Sequence, residues 1–94
     1  MTISPDQAEA IALRALTFLV GHEELRDIFL GSSGASLEDL KAGATDAGFL
    51  GSVLDFILMD DAWVMQFCDQ YQLDYNEIYP ARQALPGGAQ IHWT

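Results

Sequence analysis

The side chains able to do chemistry in this chain are few, and most of them sit where a helix begins. Asp60 and Asp61 are an adjacent carboxylate pair, and general acid–base work needs two acids in a cleft that pushes their pKa values apart. Neighbouring acids at a helix start are both open to water, so solvation rather than catalysis is the expectation. His22, Glu23, Glu24 and Asp27 bring one imidazole and three carboxylates within two turns. Zinc asks for several His or Cys ligands at helical or loop spacing, and calcium for alternating acids in a loop; neither pattern is present. Gly31-Ser32-Ser33-Gly34-Ala35 is superficially like a nucleophile elbow, but its fifth residue is alanine and no strand precedes it. Neither His22 nor His92 pairs with it, and its composition is that of a turn. Cys68, the single cysteine, adjoins Asp69 and has no cation within its turn, so it reads as a buried, inert thiol. Lys41, the only lysine, follows no glycine-rich phosphate loop. No catalytic residue, cofactor site or metal site is assigned, and the chain reads as a non-enzyme.

The elements that carry these residues are helical. Ser4, Pro5 and Gln7 form a capping box with proline at the first helical position, and Ala8, Ile11, Ala12, Ala15, Leu16 and Leu19 follow at three- and four-residue spacing until Gly21. A second helix is expected over residues 23–30, with Leu25, Ile28 and Phe29 as its apolar face, and residues 31–34 as a loop. Ser36 and Asp39 cap a short third helix through Lys41. Thr45 or Asp46 starts a fourth, carrying Phe49, Leu50, Val53, Leu54, Ile57 and Leu58. Asp60-Asp61 opens a fifth with Trp63, Phe67 and Tyr71 at a spacing of four. Asp74 and Glu77 form another capping box before Ile78, Ala81, Arg82 and Leu85, and Pro80 predicts a kink or break about six residues into that last helix. No segment alternates with the period of a strand.

Composition agrees. The chain has 94 residues, half of them apolar, which suffices for one domain and not two. Fourteen acids face four bases, Arg14, Arg26, Lys41 and Arg82, for a net charge of −10. Nucleic-acid binding rests on clustered Lys and Arg, so that class is excluded. Ten of the acids fall at caps or first turns, where carboxylates meet free N–H groups and the positive end of the helix dipole: Asp6, Glu23, Glu24, Glu38, Asp39, Asp46, Asp60, Asp61, Asp74 and Glu77. One cysteine allows no intrachain disulfide. The apolar stretches at 15–21 and 49–59 are shorter than the roughly 20 residues of a membrane span, and no signal peptide or lipid anchor is visible; a cytoplasmic protein is expected.

The two halves align without a gap at an offset of 38. Ile11 falls on Phe49, Phe18 on Phe56, Leu25 on Trp63, Phe29 on Phe67 and Leu40 on Ile78, with the caps Ser36 on Asp74 and Asp39 on Glu77. The expected architecture is an all-α, single compact domain of about six helices over residues 1–86, built as two similar three-helix units, with a C-terminal tail at 87–94.

Ala15-Leu16-x-Phe18-Leu19, Phe29-Leu30 with Ser33-Gly34, Leu37-x-Asp39-Leu40, Phe49-Leu50-x-x-Val53-Leu54-Asp55, Phe67, Leu73-Asp74 and Arg82-x-Ala84-Leu85-Pro86-Gly87 carry a resemblance. Over about residues 5–88 the chain resembles a small bacterial helical family catalogued as domain of unknown function 3572. The resemblance implies a short, single-domain helical bacterial protein and carries no assigned activity or functional residues. Tyr75 and Pro80 depart from the pattern in the last helix.

The functional expectation is a non-enzymatic module that binds another protein. Aromatic and Met side chains dominate interface anchors, and this chain has more of them than so small a core needs. The candidate partner-binding residues are Trp63, Tyr75, Tyr79 and Trp93, with the acids Asp60 and Asp61. Two alternatives of other classes are a pocket between the two units, near His22 or Cys68, that binds a small molecule or hides an activity, and self-association through Trp93 or the Trp63 face.

Overall fold

The computed structural model describes residues 3–86. The tail at 87–94, with His92 and Trp93, lies outside the described residues. Six α-helices follow one another: α1 (Pro5–Gly21), α2 (Glu23–Ser33), α3 (Leu37–Gly43), α4 (Ala47–Leu58), α5 (Asp61–Tyr71) and α6 (Ile78–Gln83), with a 3-10 turn at Tyr75–Glu77 before α6. No strand occurs among the described residues. α1 and α4 lie along each other at the centre, α6 packs on both, and α2 and α5 flank them. The core is one cluster, and Leu19, Leu25, Leu40, Leu54, Ile57 and Phe67 are its largest fully buried side chains.

The start signals worked as capping chemistry requires. Ser4 with Gln7 and Ser36 with Asp39 both form complete capping boxes. Asp46 caps α4 through bonds from the Gly48 and Phe49 N–H groups. All ten acids assigned to helix starts sit at an N-cap or in a first turn.

Local readings at two places are corrected. The loop expected at 31–34 is helix as far as Ser33, where the Ser32 and Ser33 hydroxyls donate to the Phe29 carbonyl. Only Gly34 turns left-handed, at φ 76°, and its N–H closes on the Leu30 carbonyl. Gly34 is thus the stop, and Gly31 is an ordinary helical residue. Asp74 and Glu77 form no capping box: the Asp74 carboxylate accepts from Asn76 N–H at 2.8 Å, and Glu77 N–H bonds the Asp74 carbonyl at 2.8 Å. Pro80 explains this. An α-helix running from Tyr75 would need an N–H from residue 80 for the Asn76 carbonyl, and the proline ring would press on that carbonyl. The chain winds as a 3-10 turn over 75–77 and restarts as α6 at Ile78, which leaves Pro80 in a first turn, where it is tolerated.

The 38-residue offset is visible in the packing. Phe18 on α1 meets Phe67 on α5 at 5.5 Å, and its counterpart Phe56 on α4 meets Phe29 on α2 at 5.2 Å. The offset exchanges the two pairs, as expected if two like units face each other about a two-fold axis. The left-handed residues obey it too: Gly34 and Gln72 (φ 55°) are 38 apart, and each closes the second helix of its half, on Leu30 and Cys68 respectively. Gln72 carries a Cβ in a conformation that favours glycine. Gln72→Gly is therefore expected to raise stability by about 0.5–1 kcal/mol, read as a higher urea midpoint at unchanged slope. A lower midpoint would mean that the Gln72 side chain has contacts that outweigh its backbone strain.

Candidate functional site

The residues singled out for partner binding separate into two places. Asp60 is the N-cap of α5, its carboxylate accepting from Ala62 N–H at 2.8 Å, and Asp61 is the first residue of that helix. Trp63 is half-buried, stacked on Phe56 at 4.8 Å with the rings 25° from parallel, so one face of its indole is closed. Met59, in the turn before them, is 76% exposed. Tyr75 and Tyr79 lie beyond the opposite end of α5, separated from Trp63 by about 12 Å of helix. They are 51% and 62% exposed and about one turn apart, one on the 3-10 turn and one on α6. Tyr75 and Tyr79 sit on consecutive elements, the 3-10 turn and α6; Trp63, Asp60 and Asp61 lie at the other end of α5; Trp93 lies outside the described residues.

Sequence reasoning missed the one long-range polar cluster among the described residues. Arg82, on α6, forks onto Asp55 of α4, with Nε on Oδ1 at 2.5 Å and Nη2 on Oδ2 at 2.9 Å. Its Nη1 donates to the Pro86 carbonyl at 3.1 Å. The arginine side chain is only 10% exposed, while that of Asp55 is 55% exposed. Gly51 makes the arrangement possible, because a Cβ there would stand 2.6 Å from Nη1 of Arg82 and 3.2 Å from the Pro86 oxygen. The signal was available: Asp55 was the only acid in a run of apolar residues on α4, and Arg82 the only base in the second half. With Nε, Nη1 and Nη2 all bonded within the protein, this guanidinium ties α6 and Pro86 to α4 and offers little to a ligand.

The other groups with chemical potential are also committed. His22 links α1 to α2 and caps α2, Nδ1 accepting from Leu25 N–H, with its ring 5.8 Å from Phe18. Ser33 is bonded to the Phe29 carbonyl, and no partner of a catalytic triad is near it in sequence. Cys68 is buried, and burial first, then the charges of Asp69, Asp74 and Glu77, push its thiol pKa up. The folded protein holds that proton at a pH where the unfolded chain has released it. The thiol's contribution to stability is thus complete below the ordinary thiol pKa and is lost as pH rises toward the raised folded value. The stability gap between wild type and Cys68→Ala is expected to narrow with alkaline pH in urea titrations. A gap constant with pH would contradict a raised thiol pKa.

Among the described residues, grooves open between the halves at two places, and neither includes His22 or Cys68. One, of about 260 Å³, runs between α1 and the turn before α6, lined by Ile11, Arg14, Leu73 and Glu77 among others. The second, of about 410 Å³, lies between the α2–α3 corner and the start of α4, and includes Ala35, Asp39 and Phe49. Ile11, Leu73 and Glu77 map onto Phe49, Ala35 and Asp39 under the 38-residue relation, so these are equivalent seams of one internal repeat. Among the described residues, no three His, Cys, Asp or Glu side chains converge as metal ligands, and no helix is long and apolar enough to cross a membrane.

No curated protein and no solved structure matches the chain significantly. A family model does, described as Protein of unknown function (DUF3572), over residues 5–88. That span begins at the first residue of α1 and runs past the end of α6, so every helix described above falls inside it, and the chain belongs to the DUF3572 family.

Proposed function

We propose that this chain is a non-enzymatic, cytoplasmic bacterial module that binds another protein, and that Tyr75 and Tyr79 anchor the contact. The observation that supports this reading is the pair itself. Two tyrosines about one turn apart are each more than half exposed, on a domain whose other aromatic rings are largely packed inward. Tyrosine is favoured at interfaces because it supplies a large rigid apolar surface and one hydrogen-bonding group for little rotamer entropy. The corner formed by Met59, Asp60, Asp61 and Trp63 is a weaker candidate, since Trp63 is stacked on Phe56 and Asp60 is engaged as a cap.

A photo-crosslinking residue at position 79, introduced in the cells that make the protein, tests the reading. A discrete covalent adduct at 79, missing when the same residue replaces exposed Gln66 on α5, is expected. No adduct at 79, or identical adducts from both positions, would count against it.

A further inference from the structure

The charge around Tyr75 and Tyr79 narrows the class of partner. From Asp46 to Pro86 the only cation is Arg82, buried and engaged by Asp55 and the Pro86 carbonyl. The six other carboxylates of that stretch, Asp46, Asp60, Asp61, Asp69, Asp74 and Glu77, make no ion pair among the described residues. Three of them gather at the end of α5 where the tyrosines lie. Asp69 lies in the last turn of α5, Asp74 caps the turn that carries Tyr75, and Glu77 ends that turn. The facing cation is Arg14 on α1, which shares a groove with Glu77 without pairing to it. Two exposed aromatic faces edged by unneutralised carboxylates suit one side chain above others. An arginine guanidinium stacks on a tyrosine ring and forks onto a carboxylate with the same planar group. A second copy of this chain is disfavoured there, because two molecules of net charge −10 repel.

Building on the reading of this chain as a protein-binding module, we propose that the Tyr75–Tyr79 face, with Asp69, Asp74 and Glu77, docks an arginine-rich segment of the partner protein. The tyrosines supply stacking and apolar area, and the carboxylates supply steering and register. Association is accordingly fast at low salt and weakens as salt is added.

The test uses the whole protein and a short fluorescent peptide that carries arginines on one helical face and leucines on the other. A matched peptide has every arginine replaced by glutamine. The arginine peptide is expected to bind and the glutamine peptide to bind at least about tenfold more weakly. Tyr75→Ala with Tyr79→Ala is expected to weaken binding about tenfold, as is Asp69→Asn with Asp74→Asn and Glu77→Gln. The asparagine at 74 keeps a side-chain oxygen for the Asn76 N–H, and circular dichroism confirms that each variant is folded. Glu23→Gln with Glu24→Gln and Asp27→Asn on α2 removes the same charge elsewhere and is expected to weaken binding less than about threefold. Equal losses from the two carboxamide triples would overturn the proposal in favour of diffuse charge. Undiminished binding by the double tyrosine variant, or equal binding of the two peptides, would overturn it as well. An adduct at position 79 whose partner contact holds no arginine would remove this inference and leave the binding reading standing; no adduct at all would count against the reading itself.

Discussion

Phe67→Ala is expected to lower the stability of the domain by about 3–5 kcal/mol, the range for deleting a buried aromatic ring whose site cannot collapse. Phe67 is fully buried and reaches Phe18 on α1 at 5.5 Å and Tyr71 on its own helix at 5.4 Å, so it is the ring that fastens α5 to the centre. Domains of this kind have total stabilities of about 5–15 kcal/mol, so the loss is a large fraction of the whole. Phe67→Leu keeps most of the volume and is expected to cost about 1–2 kcal/mol. Urea titrations of the three proteins measure both numbers. Phe29, the residue 38 positions earlier, holds α2 to α4 through Phe49 and Phe56 at 6.0 and 5.2 Å, and Phe29→Ala should behave alike. An alanine cost below about 1 kcal/mol at either site would be inconsistent with the packing described.

Asp55→Ala is expected to cost more than Arg82→Met, although both break the same ion pair. Removing the aspartate leaves a guanidinium that is 10% exposed and cannot shed its proton, and an unpaired buried charge costs several kcal/mol. Part of that cost is relieved because the vacated Asp55 position is open to water, so about 2–3 kcal/mol is expected. Removing the arginine leaves a carboxylate that is 55% exposed and readily hydrated, and methionine restores apolar volume beside Gly51, so about 1 kcal/mol is expected. The order of the two urea midpoints is the decisive reading, and the reverse order would sink the account. Asp55→Asn, which keeps an acceptor for Nε, should lie between them.

Much of this was legible in the amino-acid order because the signals are local. Ser4, Pro5, Gln7, Ser36 and Asp39 act on N–H groups two or three residues away, so their role does not depend on the rest of the fold. The spacing of Leu16, Leu19, Leu50, Val53 and Leu54 placed these residues in the core for the same reason. The readings at Gly31 and at the Asp74–Glu77 box failed where two local signals competed. Composition favoured a loop at Gly31, but only Gly34 needed the left-handed conformation. A capping box was present in letters at Asp74, but Pro80, three residues past Glu77, removed the N–H that an α-helix from Tyr75 requires.

The candidate site was legible by residue type and not by place. Exposure of Tyr79 follows from its position off the Ile78–Ala81 stripe on α6, which pattern alone suggests, whereas Tyr75 is exposed on the 3-10 turn that precedes it. That Trp63 is half closed by Phe56, that Asp60 and Asp61 stand a helix length from the tyrosines, and that Arg82 forks onto Asp55 are relations between segments far apart in sequence. The chain by itself determined the helical class, most helix starts and the apolar stripes, because each of these is a matter of neighbours or of period. Only the tertiary structure decided which aromatic rings meet between the halves and which acid Arg82 engages. Such contacts depend on how α1, α4 and α6 are laid against one another, and no local rule specifies that arrangement.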